Sequence, residues 1–151
     1  MRAVKTQSGA ILVELALLLV PLLVLVFGIT EFGRAVYQYN ALATGVRDGA
    51  RYLSQFEPGH ADRIREAQSM VVCGLTDCSN SDPLVPGMRL SYVRVLDRLS
   101  DPDDYDLQST GRGTLNLVRV EVSGFTFRSV APAFVPDQAF GPIHATMVQA
   151  P

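Results

Sequence analysis

The sequence predicts an α+β chain: one long N-terminal helix, first apolar and then amphipathic, packed on a small antiparallel sheet of about three strands. Three observations carry that expectation. No residue from Leu15 to Thr30 is charged, and between Ala10 and Thr30 the sole charge is Glu14. Beyond this run, Phe32, Val36, Tyr39, Ala43, Val46, Ala50 and Leu53 recur at alternating spacings of four and three, an apolar stripe along a continuing helix. Further on, Val118, Val120 and Val122 alternate with Arg119 and Glu121, the period of a half-buried strand.

Residues 1–9 form a short polar leader whose charges are Arg2 and Lys5. Basic residues beside an apolar run place that end in the cytoplasm and the rest of the chain across the membrane. The run itself, 10–30, is long enough to span a hydrocarbon core of ~30 Å, which takes about 20 helical residues. A cleaved secretory signal has a shorter core with a small-residue cleavage site directly after it. Here the nearest A-x-A triplet, Ala41-Leu42-Ala43, lies past Glu31 and Arg34, too far downstream. Pro21 removes one backbone bond inside the run and predicts a slight bend near Leu17–Pro21, which membrane helices tolerate.

The stretch 31–57 continues the helix outside the membrane. Glu31, Arg34, Gln38, Arg47, Asp48 and Arg51 fall off the apolar stripe, and Gly33, Gly45 and Gly49 beside it permit close approach of another element. Pro58-Gly59 ends the helix, which from Ala10 would be roughly 70 Å long.

Residues 58–151 read as a small α+β domain. His60 to Val72 predicts a second helix with Ile64, Gln68, Val71 and Val72 inward. The stretch 81–87 is rich in breakers. Arg89 to Asp97 is strand-like, with a change of face between Tyr92 and Val93 that suggests a bulge or twist. The run 98–113 reads as a long polar loop, 114–123 as a strand, 129–142 as an irregular segment with three prolines, and 143–148 as a last strand.

Composition narrows the chemistry. The formal charge is −2, and without Arg2 and Lys5 it falls to −4, eleven basic against 15 acidic residues. That mild acidity lacks the basic stripe that nucleic acid requires, so no nucleic-acid partner is expected. Cys73 and Cys78 are the only cysteines. Close together and outside the cytoplasm, they read as a local disulfide, the alternative being two free thiols in a turn. His60 and His144 sit in separate elements without metal-ligand spacing. Asp101, Asp103, Asp104 and Asp106 concentrate hard oxygen ligands, but without the glycine and terminal glutamate of a calcium loop they read as a solvated acidic loop. No phosphate loop or nucleophile elbow is present, so no catalysis, no metal and no cofactor are expected.

The remaining constellation is at the membrane boundary. Gly9, then Ala10, then Glu14 at the fifth position, between a basic leader and an apolar helix, resembles the class III prepilin signal. Past it, Glu14-Leu15-Ala16-Leu17, Pro21-Leu22-Leu23, Phe27-Gly28-Ile29-Thr30-Glu31-Phe32-Gly33-Arg34-Ala35, Ala41-Leu42 and Arg47-Asp48-Gly49-Ala50-Arg51 resemble the TadE-like pseudopilins, minor pilin-like proteins of tight-adherence (Flp) pili. The resemblance covers 8–54.

It implies that a membrane prepilin peptidase cuts after Gly9, leaving Ala10 as the new N-terminus and Glu14 as the fifth mature residue. It also implies a single-pass protein of the bacterial inner membrane, with its domain periplasmic and with other pilins as partners. The chemistry agrees. A lone carboxylate in hydrocarbon is costly, and the ammonium freed on Ala10 supplies a counter-charge, from the same chain or a neighbour. The expected function is therefore a minor pilin acting in assembly, priming or the tip of the pilus by helix packing. The alternative is an uncleaved single-pass protein whose outer domain binds a ligand or partner.

Overall fold

The computed structural model describes residues 8–111, 113–132 and 134–149. Of the leader, only Ser8 and Gly9 lie among them. Helix α1 runs unbroken from Ser8 to Leu53, with Pro21 inside it. It stops four residues before the expected end at Glu57. Ser54 Oγ and Gln55 Nε2 both donate to the Arg51 carbonyl, at 2.8 and 3.2 Å. Polar side chains that bond local backbone carbonyls in this way compete with helix continuation.

Helix α2 spans Ala61–Cys73, shifted one residue from the expected 60–72. His60 occupies its N-cap position, and Gly74 closes it in the left-handed conformation (φ 79°), donating its N–H to Met70 O at 3.0 Å. Val71 and Val72 are buried as expected, with Ala67 and Ser69, while Ile64 and Gln68 are half-buried at the edge of the core. Gln68 Nε2 reaches across to Val93 O at 3.0 Å.

The sheet is built around strand β3, Gly113–Val122. Strand β1 (Val93–Leu96) pairs antiparallel along one edge, from Val93↔Val122 to Leu96↔Arg119. Strand β6 (Ile143–Gln149) pairs along β3 from Val122↔Ile143 to Asn116↔Gln149. The α+β plan of a long helix on a three-stranded antiparallel layer is the one the sequence predicts. Val118, Val120 and Val122 turn inward, while Arg119 and Glu121 pair at 2.7 Å. The core joins Leu42, Val46, Ala50 and Leu53 of α1 to Val71 of α2 and to those three valines. Each buried leucine or valine among them stabilises the fold by roughly 1.5–3 kcal/mol.

Three expectations are corrected in the connections. The face change before Val93 is a 3₁₀ turn at Leu90–Tyr92, not a bulge in a longer strand. The loop 98–113 holds a one-turn helix α3, Pro102–Tyr105, and a short strand β2, Gln108–Thr110, which pairs with Gly113–Leu115 of β3. Buried Tyr105 anchors α3, so this loop is partly tied to the domain. Finally, strands β4 (Thr126–Phe127) and β5 (Gln138–Ala139) pair within the region expected to be irregular. They form an arm whose tip, 128–132 and 134–136, returns to α1.

Candidate functional site

The N-terminal part of α1 is almost uncovered. Every residue from Gly9 to Phe27 is exposed, Gly28 is half-buried, and Ile29 and Thr30 are exposed again. This is the reverse of a core helix, whose apolar face would be covered by its own domain. Gly9 and Ala10 are exposed in the first turns, and a side chain at Gly9 would meet no atom within 4 Å. Glu14 lies exposed on the same helix, four positions from Ala10, so the two share one face.

The covered face of α1 is phased differently from the seven-residue stripe. Val46, Ala50 and Leu53 are buried and Ala43 is half-buried, but Phe32, Val36 and Tyr39 are exposed, Phe32 at 73%. The buried positions further up are Glu31, Gln38 and Leu42. Glu31, Leu42 and Leu53 stand eleven apart, as do Gln38 and Gly49, and Arg34 and Gly45. Eleven residues make three turns of a nearly straight helix, whereas a seven-residue repeat drifts by ~20° each time. Over three repeats the drift carries Phe32 off the face that holds Leu53. Of the expected stripe, Ala43, Val46, Ala50 and Leu53 face the domain, Tyr39 is exposed but meets Phe140 edge-on at 5.8 Å, and Phe32 and Val36 face out.

Where the apolar run ends, polar side chains take over the covered face. Glu31 is only 4% exposed. Its Oε1 accepts from Arg34 at 2.7 Å and its Oε2 accepts the Val130 backbone N–H at 3.1 Å. Burial pushes this carboxyl up, but hydrogen bonds from Arg34, Ser129 and Val130, with the Arg34 charge, outweigh burial and hold it below its ordinary 4.5. The Arg34 guanidinium also lies 5.3 Å above the buried Phe127 ring. One turn nearer the N-terminus, Phe134 stacks on Phe27 with centroids 5.4 Å apart. The arm is therefore clamped to α1 at the level where the uncharged segment ends. An apolar-only reading of the sequence passes over Glu31 and Gln38; their eleven-residue spacing from Leu42 and Gly49 is the signal that locates them.

The α1–α2 contact depends on glycine. A side-chain carbon at Gly45 would sit 3.1 Å from Val71 Cα, and one at Gly49 would sit 3.1 Å from Ala67 O. Cys73 and Cys78 form a disulfide with Cα atoms 5.9 Å apart, fastening the end of α2 to the turn after it.

Elsewhere the polar groups serve the fold. Among the described residues, no group of three or more histidines, cysteines and carboxylates is placed to hold a metal ion. His60 and His144 are exposed, on α2's entry and on β6. Asp103 and Asp106 offer their backbone carbonyls to Gln108 Nε2, at 3.0 and 2.9 Å. An open groove of about 890 Å³ runs beside α2, lined by charged residues that include Arg63, Glu66 and Asp77. Arg63 is paired with Glu66 at 2.8 Å, and Asp77 binds Ser79. Neither supplies a nucleophile with a base.

Residues 9–51 match the family model described as TadE-like protein. Over that segment the chain is similar to the TadE-like family. The match covers the bare apolar segment and nearly all of the packed half of α1. It ends before α2 and the sheet, so the TadE-like character resides in the helix. No curated protein and no solved structure matches the chain.

Proposed function

We propose that this TadE-like protein is a minor pilin-like subunit of a tight-adherence pilus system. It is held in the bacterial inner membrane by residues 10–30 with its domain on the periplasmic side, and it acts in assembly, priming or the tip of the pilus without catalysis. The observation that carries this is a single helix whose apolar residues from Gly9 to Val26 are exposed, which its own domain first touches at Phe27, through Phe134, and which is packed from Glu31 onward. A purely structural anchor needs no continuous helix leading into a domain. A subunit that exchanges lipid for neighbouring helices needs both a bare segment and a rigid mount.

In this function a prepilin peptidase removes residues 1–9, and the ammonium freed on Ala10 faces Glu14 of its own chain or of a neighbour. The exposed upper stripe of Phe32, Val36 and Tyr39 extends the bare surface past the membrane for pilin partners. Mass measurement of the mature chain tests the processing step. Loss of residues 1–9, abolished by Gly9→Ala, is the expected result. A full-length chain in cells that hold the peptidase overturns it and leaves the uncleaved single-pass alternative. Glu14→Ala tests the second step: processing continues and assembly into the complex fails. Normal assembly of this variant removes Glu14 from the mechanism.

A further inference from the structure

We propose that the tip of the β4–β5 arm, residues 128–132 and 134–136, is a membrane-seating foot that inserts Val130 and Phe134 into the outer interface of the bilayer. The proposal rests on the membrane-spanning reading of 10–30 and adds a second contact with lipid, made by the domain itself.

Four features of the tip point to lipid. First comes its level. Phe134 stacks on Phe27, inside the uncharged run, and Val130 is held at Glu31, the first charge beyond it. A bilayer that covers Phe27 therefore meets Phe134 at the same depth. Second is its composition. Val130, Ala131, Pro132, Phe134, Val135 and Pro136 bring no charge, yet Val130 is 76% and Phe134 48% exposed. Large apolar side chains at the end of a turn are unfavourable in water and suit an interface, where aromatic rings are enriched.

Third, the tip is built to hold its shape. Ser129 N–H donates to Asp137 Oδ1 at 2.9 Å across its neck, and the Phe134 and Val135 amides both donate to Ala131 O, at 2.9 and 3.0 Å. The loop's backbone polar groups are partly satisfied internally, which lowers the penalty for leaving water. Fourth, exposed Arg128 stands at the neck, on the domain side of the apolar tip, where its guanidinium meets the phosphate layer. With α1 as one anchor and the tip as a second, the domain cannot pivot freely about the helix. The stored subunit thus holds one tilt toward its neighbours.

The protein contains no tryptophan, so single substitutions give unambiguous reporters. The full chain is reconstituted in phosphatidylcholine vesicles carrying bromine either shallow or deep in the acyl chains. Phe134→Trp and Val130→Trp are expected to be quenched by shallow bromine, Phe134→Trp more strongly, with blue-shifted emission and weak quenching by aqueous iodide. Leu18→Trp, in the exposed apolar segment, reports the span through quenching by deep bromine. Leu99→Trp, exposed beside Gly59 at the far end of α1 and roughly 35 Å from Thr30 along the helix, responds to iodide alone. Deep quenching at position 18 with iodide-only quenching at 130 and 134 overturns the foot while the span stands. Failure at position 18 removes the membrane reading as a whole.

Discussion

The Glu31 carboxylate accepts the Val130 amide hydrogen at 3.1 Å, joining the N-terminal end of the packed half of α1 to a loop 99 residues later in the chain. The same carboxylate holds Arg34, whose guanidinium covers Phe127 at the base of that arm. One ionised group thus fixes the arm at both its tip and its root, and the clamp has a pH dependence with a definite sign. Glu31 titrates below its ordinary 4.5 in the folded protein. Its contribution is therefore complete above the unfolded value and is lost as pH falls through the folded one. The Val130 amide resonance should shift with a midpoint below 4.5, and Glu31→Gln should abolish that inflection while leaving the α1–α2 core folded.

The disulfide gives a second prediction. Cys73 and Cys78 are five positions apart, so the bridge restricts only a short loop of the unfolded chain. Loop-closure entropy for so small a ring is about 2 kcal/mol. Replacing both cysteines by serine should lower the unfolding free energy by about that amount, with the fold retained. Denaturant titration of the full chain in detergent checks it, and reductant should destabilise the native protein while leaving the serine variant unmoved.

A third prediction concerns Tyr52, whose hydroxyl donates to Glu66 and accepts from Arg63 at 2.8 Å. Its bond to Glu66 is the main reason that the phenol is raised above its ordinary 10.0, with burial adding and Arg63 opposing. Stability from this group is complete below 10.0 and disappears as pH rises through the folded value. In an ultraviolet pH titration, Tyr52→Phe should remove a component that ionises above 10.0. The variant should also show a flatter fall of stability in alkali.

Sequence patterning exposed the parts of this fold that repeat. The charge-free run to Thr30 and the alternation from Val118 to Val122 are periodic signals that local physics sets, and they located α1 and β3 within a few residues. Patterning failed where a polar residue does a core residue's work. Glu31 is buried where the arm's Val130 amide reaches it, and nothing near it in sequence announces that partner. The same holds for β4 and β5, each two residues long, which pair only because Phe127 and Phe140 are gathered into one aromatic cluster. The seven-residue stripe does not stay on the domain side over its whole length: Phe32 and Val36 turn away from it because a nearly straight helix keeps step with eleven residues, not seven.

The glycines of α1 supply the last prediction, in which one substitution changes sign along a single helix. A methyl group at Gly33 meets nothing within 4 Å, while one at Gly45 meets Val71 Cα at 3.1 Å and Val71 O at 3.2 Å. Glycine in a helix interior is about 1 kcal/mol less favourable than alanine, so Gly33→Ala should stabilise the isolated subunit by about that amount. At Gly45 the neighbours are backbone atoms of a packed helix, which cannot rotate aside. Overpacking of this kind costs roughly 1–3 kcal/mol and outweighs the helical gain, so Gly45→Ala should be destabilising. Unfolding curves for the two variants in detergent check both signs. Gly33 also lies on the uncovered side beside Phe32, where a pilin partner would approach. If the partner helix comes as close there as α2 comes to Gly45, Gly33→Ala should weaken incorporation into the complex even though it stabilises the subunit alone. Co-purification of the variant with its pilin partners separates the two effects, and undiminished recovery would mean that partners do not pack on this face.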